Sequence, residues 1–240
     1  MMGAGALWLP VGAIAFYLYD SLLCLYGDEL VLIKAGARWD HSGGGNRLLF
    51  RRRWYLPNPL TPQHLLWKAC WSQAAATSAV TDLAGVAQVG ERLQTLRVLV
   101  LIELALVAAA LPLTVLAGAT PLVLLLVFAA IYLVAAIAVI WLWHRRSQLG
   151  LTARHCRSLS FDALACPPFA INLVRKISLL TEIRGELLGL ARPVFEAAAL
   201  GRLRATLLRR VSEQLAVESA DSARHTALES YQRELMERGA

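Results

Sequence analysis

Apolar residues gather into three runs, Ala6 to Tyr26, Val98 to Ala117 and Leu122 to Trp143, and between them hydrophobic and charged positions are interleaved. At about 1.5 Å of rise per residue, each run as a helix spans a hydrocarbon core of roughly 30 Å. The third run carries no charge. Its closing Trp141 and Trp143 stand where an interfacial aromatic belt belongs, just ahead of His144, Arg145 and Arg146. Gly118-Ala-Thr-Pro121 is a tight turn, so the second and third runs are expected to form an antiparallel helical hairpin with an uncharged tip. The first run is interrupted by Pro10, Gly12 and Asp20. No basic residue precedes it, and Tyr26-Gly-Asp28 offers no small-x-small cleavage site, so it reads as a membrane span and not as a secretory signal.

The interleaved segments carry other periods. Glu29 to Lys34 and Arg47 to Leu56 are short apolar and β-branched or aromatic runs on either side of Ser42-Gly-Gly-Gly-Asn46, which predicts a β-hairpin. A period of two puts Leu48, Phe50, Trp54 and Leu56 on one face with Arg52, and Arg47, Arg51 and Arg53 on the other with Leu49 and Tyr55. Leu56-Pro-Asn-Pro-Leu-Thr-Pro62 is an extended connector, and Thr61-Pro62 reads as a helix start. The expected helix runs through His64, Trp67 and Trp71 into the small-residue stretch 72 to 85 and on past Gly90 towards the second span. After Cys166-Pro-Pro168, Phe169, Leu173, Ile177, Leu180, Ile183, Leu187 and Leu190 recur at spacings of three and four up to Pro193. A second stripe holds Leu200, Leu203, Leu207, Val211 and Leu215, and a thinner one holds Leu228, Tyr231 and Leu235.

Charge orients this pattern. Of 24 Lys and Arg, nine fall in segment 27 to 97 and fifteen in 144 to 240, while the N-terminal region and the turn at 118 to 121 hold none. The positive-inside rule then places both basic segments in the cytoplasm and the N-terminus outside. A hydrophobic fraction of 57% and a mean hydropathy of +0.51 exceed what a soluble domain carries. The excess of Arg over Lys, with abundant Ala and Leu, points to a bacterial inner membrane. The expected fold is an all-α membrane protein with three transmembrane helices, a small cytoplasmic β-hairpin and a cytoplasmic amphipathic helical tail. Its segments are 1–26, 27–97, 98–143 and 144–240.

Candidate chemistry is sparse. No Gly-rich phosphate loop, Gly-x-Ser-x-Gly, His-Glu-x-x-His or Cys-x-x-Cys occurs. Carboxylates within spans are costly, which singles out Asp20 and Glu103, expected at similar depth, with His144 at the inner end of the third span. Together they are candidates for a proton relay or a divalent-metal site; pairing of the carboxylates with Arg92, Arg97 or Arg145 is the structural alternative. Cys156 and Cys166 with His155 match no zinc spacing, so Cys24, Cys70, Cys156 and Cys166 are read as reduced structural thiols and no cofactor or metal is expected. Arg51, Arg52, Arg53, Trp54 and Tyr55 are candidates for contact with anionic lipid head groups, or simply hold the loop in the cytoplasm. Nucleic acid is not an expected partner, because no fingerprint accompanies the basic residues. The chain reads as a non-catalytic scaffold or accessory subunit that meets membrane lipids and either a protein partner or further copies of itself. The alternative is an oligomeric ion or proton pathway, or a metal-dependent catalyst, centred on Asp20, Glu103 and His144.

Overall fold

The computed structural model describes residues 7–45, 52–71, 83–181, 183–184 and 186–237. Its elements begin with helix α1 (Trp8–Ser21) and strands β1 (Leu23–Leu25), β2 (Glu29–Ala35), β3 (Arg38–Ser42), β4 (Arg53–Tyr55) and β5 (Leu65–Cys70). Helices α2 (Leu83–Arg92) and α3 (Gln94–Ala105) follow; a π turn (Leu106–Ala110) joins α3 to α4 (Leu111–Leu116), and α5 is Pro121–Arg145. Then come α6 (Ala153–Ala165), a 3-10 turn (Pro167–Asn172), α7 (Leu173–Leu179), β6 (Ile183–Arg184), α8 (Leu187–Ala191), α9 (Ala197–Leu215) and α10 (Ala223–Glu237). The chain is mostly helical with a small sheet, and it divides into two compact units.

The first unit comprises Met1–Leu22, Leu56–Leu65 and Gln88–Ser178. It holds two helices long and apolar enough to cross a membrane, Gln94–Leu116 and Pro121–Arg145. At 1.5 Å per residue they are about 35 and 37 Å long. Only 28% and 22% of their most apolar windows are buried, whereas the core helix of a soluble protein is mostly covered. The turn between them closes as expected. Gly118 at φ 64 is the residue that leaves the helix, Ala117, Gly118 and Ala119 donate back to Leu113, Val115 and Thr114, and Pro121 opens the next helix. The π turn has a local cause: Pro112 has no N–H, and its ring crowds the carbonyl of Ala108, so the helix widens ahead of it. Thr114 Oγ1 donates to the Ala110 carbonyl at 2.6 Å.

The first apolar run behaves differently from the expectation of a helix from Ala6 to Tyr26. Helix α1 has 14 residues, about 21 Å, and ends at Ser21. Leu22 turns extended, and Leu23 to Leu25 become a strand paired with β4, because their alternation buries Leu25 within a sheet. The predicted long helix into the second span is likewise broken, at Leu93, between α2 and α3.

The second unit comprises Leu23–Tyr55, Leu66–Ala87 and Leu179–Ala240. Strands lie in the order β3-β2-β5-β6, with β1 and β4 in a separate ladder. The hairpin partner of β2 is β3, through the two-residue loop Gly36-Ala37, and not the run Arg47 to Leu56. Arg53–Tyr55 pairs with β1 instead. The predicted helix from Thr61 is also replaced: Thr61 and His64 make turns onto Asn58 and Thr61, and Leu65–Cys70 is a strand. Leu66, Trp67, Ala69 and Trp71 are buried, as on a strand covered on both faces, and Trp67 stacks on Trp39 at 5.1 Å. Residues 72–82 of the small-residue stretch lie outside the described residues.

The tail from Leu179 onward joins this core. Instead of one helix from Cys166 to Pro193, Ile183–Arg184 pairs in parallel with Ala69 and Cys70, which interrupts the helical repeat. Leu203, Leu207 and Val211 of α9 and Leu228, Tyr231 and Leu235 of α10 are buried, as their periodicity predicts. Their cover comes from the chain itself: α9 packs on β3 and on α10, and Tyr231 stacks on Trp71 at 6.2 Å; just ahead of α9, Phe195 stacks on Trp39 at 6.2 Å.

His41 of β3 is nearly enclosed, with Nε2 2.9 Å from Thr206 Oγ1 of α9. Burial holds its pKa below the ordinary 6.5; Asp40 opposes the shift and Arg202 adds to it. The unfolded chain therefore takes up this proton first, so stability is full above pH 6.5 and falls as the pH drops below that value. Thermal melts at neutral pH and at about pH 5 should show the loss, and His41→Asn should flatten it. An unchanged slope in that variant rejects His41 as its source.

Candidate functional site

The polar residues of the first unit converge where α1 ends. Asp20 lies 2.7 Å from Lys176 Nζ, which also reaches Asp162 at 3.2 Å. Asn172 Nδ2 donates to Asp20 Oδ2 at 3.0 Å and to the Tyr17 carbonyl at 3.3 Å, while its Oδ1 accepts from Ser21 Oγ and Arg175 Nη1. Arg175 Nη2 donates to the carbonyls of Asn58 and Thr61 at 2.6 and 2.8 Å, and Tyr17 Oη donates to that of Pro59 at 2.6 Å. The Pro-rich connector has no ladder to take up its carbonyls, and these side chains supply the missing donors. The network is a brace between α1, the connector and α7.

Expectation and geometry part company over the intramembrane candidates. Asp20 is paired with Lys176, and among the described residues not with Arg92, Arg97 or Arg145 as the structural alternative had it. Arg92 donates to the Gln148 carbonyl, Arg97 to Gln94 and Arg145 to Gln148. Glu103 is 1% exposed, and among the described residues neither of its carboxyl oxygens has a hydrogen-bond partner. His144 is exposed in the last turn of α5, where a helix end favours positive charge. Among the described residues no hydrogen bond or ion pair joins Asp20, Glu103 and His144, and no group of three or more His, Cys, Asp or Glu is gathered to hold a metal ion.

The expected lipid-facing cluster is divided. Arg51 lies outside the described residues. Arg52 is exposed, 5.1 Å over the Tyr26 ring, and Trp54 is half exposed. Arg53 points inward at 2% exposure, pairing with Glu213 of α9 and donating to the Gly45 carbonyl at 2.9 Å. Tyr55 packs beside Leu25, Val31 and Leu66. The basic face of this strand is thus partly its inner face. The triple glycine that resembled a hairpin tip is an acceptor site for arginines: Arg210, also buried, donates to the Gly43 carbonyl, and a Cβ at Gly43 would stand 2.7 Å from its Nη2.

All four cysteines are free, and burial pushes the Cys156 and Cys166 thiols above their ordinary value, with Asp20 adding to the rise at Cys166. Sequence reasoning missed Asn172, Arg175, Lys176, Arg210 and Glu213 as members of interior networks. One signal was present: a connector with three prolines must find donors for its carbonyls elsewhere. No protein-family model matches the chain, and no curated protein and no solved structure matches it.

Proposed function

We propose that the chain is a membrane-anchored, non-catalytic scaffold or accessory subunit of the bacterial inner membrane, with its basic residues on the cytoplasmic side. What carries the reading is the use of the interior cations. Arg175 holds Asn58 and Thr61 in the first unit, Arg53 holds Gly45 and Glu213 and Arg210 holds Gly43 in the second, so these charges stiffen the backbone within each unit, and the first unit's two long helices expose apolar faces. A rigid fold with an apolar anchor suits presentation of a surface. Native mass spectrometry of the full chain, extracted with its own lipids from its host, is expected to retain a protein partner in fixed ratio; recovery of the chain without one overturns the reading.

Glu103 favours a second reading, an oligomeric proton or ion pathway, because a carboxyl buried within an apolar helix without a hydrogen-bond partner among the described residues is costly unless it serves a purpose. A homo-oligomer in that experiment, together with a vesicle proton leak abolished by Glu103→Gln, would favour this reading. An unchanged leak in the variant removes it.

A further inference from the structure

The first unit contains an open cavity of about 360 Å³ between α1, the π turn, α5 and the residues that open the 3-10 turn. Gly12, Phe16, Val107, Tyr132 and Cys166 are among its lining residues, and its polar side-chain groups are the Tyr132 hydroxyl, the Cys166 thiol and the Trp8 indole N–H. Its size is within the range that holds a small apolar ligand. Three features keep it open. Gly12 lies inside a helix, where glycine is unfavourable, and it needs neither a positive φ nor room for a neighbour, since a Cβ built there meets nothing within 4 Å. The π turn forced by Pro112 widens the facing helix at Val107. Pro167 and Pro168 make the opening of the 3-10 turn part of the wall. At one end Phe16 meets Phe169 edge-on at 6.3 Å, and beyond Phe169 lies the Lys176 ammonium, 5.1 Å from its ring.

We propose that this groove is a binding site for one acyl chain of a membrane phospholipid. The inference rests on the reading of Gln94–Leu116 and Pro121–Arg145 as membrane helices, because the medium beside them is then hydrocarbon. An open apolar space beside such helices is filled by lipid chains and not by water, because a void there forfeits the dispersion contacts that a chain supplies. The absent side chain at position 12 leaves the space that a chain would take.

The test uses the full-length protein in vesicles of phosphatidylethanolamine and phosphatidylglycerol doped with a phospholipid carrying a diazirine on one acyl chain. Irradiation should cross-link the probe to peptides containing Gly12 to Phe16 and Ala165 to Pro168. Gly12→Phe fills the groove and should lower this labelling several-fold, because the ring takes the space that a chain would occupy. Gly12→Ala adds a single methyl in open space and should leave labelling near the wild-type level, which separates occupancy from any change in the helix. Equal labelling of wild type and Gly12→Phe in a protein that still requires detergent for extraction overturns the inference and spares the anchor reading. Recovery of the chain in the aqueous fraction overturns both. Cross-links between two copies of the chain at Gly12, in place of lipid adducts, would give the groove to a neighbouring protomer and also overturn the inference.

Discussion

Removal of Pro193–Ala240 is expected to unfold the strand-bearing unit, not to release a partner from an intact protein. The amphipathic stripes of this tail have the pattern of docking surfaces, yet they close the unit's own core. Leu203, Leu207, Val211, Leu228, Tyr231 and Leu235 are all buried. At about 1.5–3 kcal/mol for each large apolar side chain, their loss matches or exceeds the roughly 5–15 kcal/mol that holds a whole domain together. The truncation also strips Phe195 from Trp39 and Tyr231 from Trp71, and it leaves Arg53 buried without Glu213. Hydrogen exchange is the direct measurement. In the truncated chain the amides of β2 and β5 should lose their protection while those of α5 keep theirs. Full protection of β2 and β5 would show that the tail is dispensable to the fold and return it to the role of a free docking arm.

Glu213→Gln should destabilise the same unit more than Arg53→Met does, although Arg53 is the residue that looked like a lipid contact. Removing the carboxylate leaves a guanidinium at 2% exposure with the Gly45 carbonyl as its remaining acceptor in the described contacts. Breaking a fully buried pair costs about 3–5 kcal/mol; since the Glu213 side chain is 36% exposed, solvent screens the pair and a loss of about 2–3 kcal/mol is expected. Arg53→Met removes the buried charge along with its partner's purpose and fills the space with an apolar chain, so its cost should be smaller. Arg52→Ala, at an exposed site over Tyr26, should change stability by less than about 0.5 kcal/mol. Chemical denaturation of the three variants orders them. If Arg53→Met proves the most damaging, hydrogen bonding to Gly45 and not charge pairing is what Arg53 supplies.

These expectations differ from a reading of periodicity alone because position 53 faces inward. A run such as Arg51-Arg-Arg-Trp-Tyr55 alternates only over a few residues, and a shift of one residue exchanges its faces. What decides its phase is β1, thirty residues earlier in the chain, where the first apolar run ends as a strand. The same holds for Asp20, whose partner Lys176 lies 156 positions away on α7. Long-range partners of this kind leave no local trace.

The sequence by itself determined the helical hairpin and its turn. Unbroken apolar length, a glycine able to leave the helix at Gly118 and a proline suited to begin one at Pro121 are local properties, and no distant residue is needed to realise them. It also determined which faces of α9 and α10 are apolar, since a spacing of three and four survives any choice of neighbour. Only the tertiary structure decided that Leu65–Cys70 is a strand, that Ile183–Arg184 interrupts a helical repeat, and that the tail's stripes are covered by their own sheet. Short apolar runs satisfy a helix and a strand about equally well. The choice falls to whichever non-local neighbour can pair the backbone and bury both faces, and here β2 and β5 supply that neighbour.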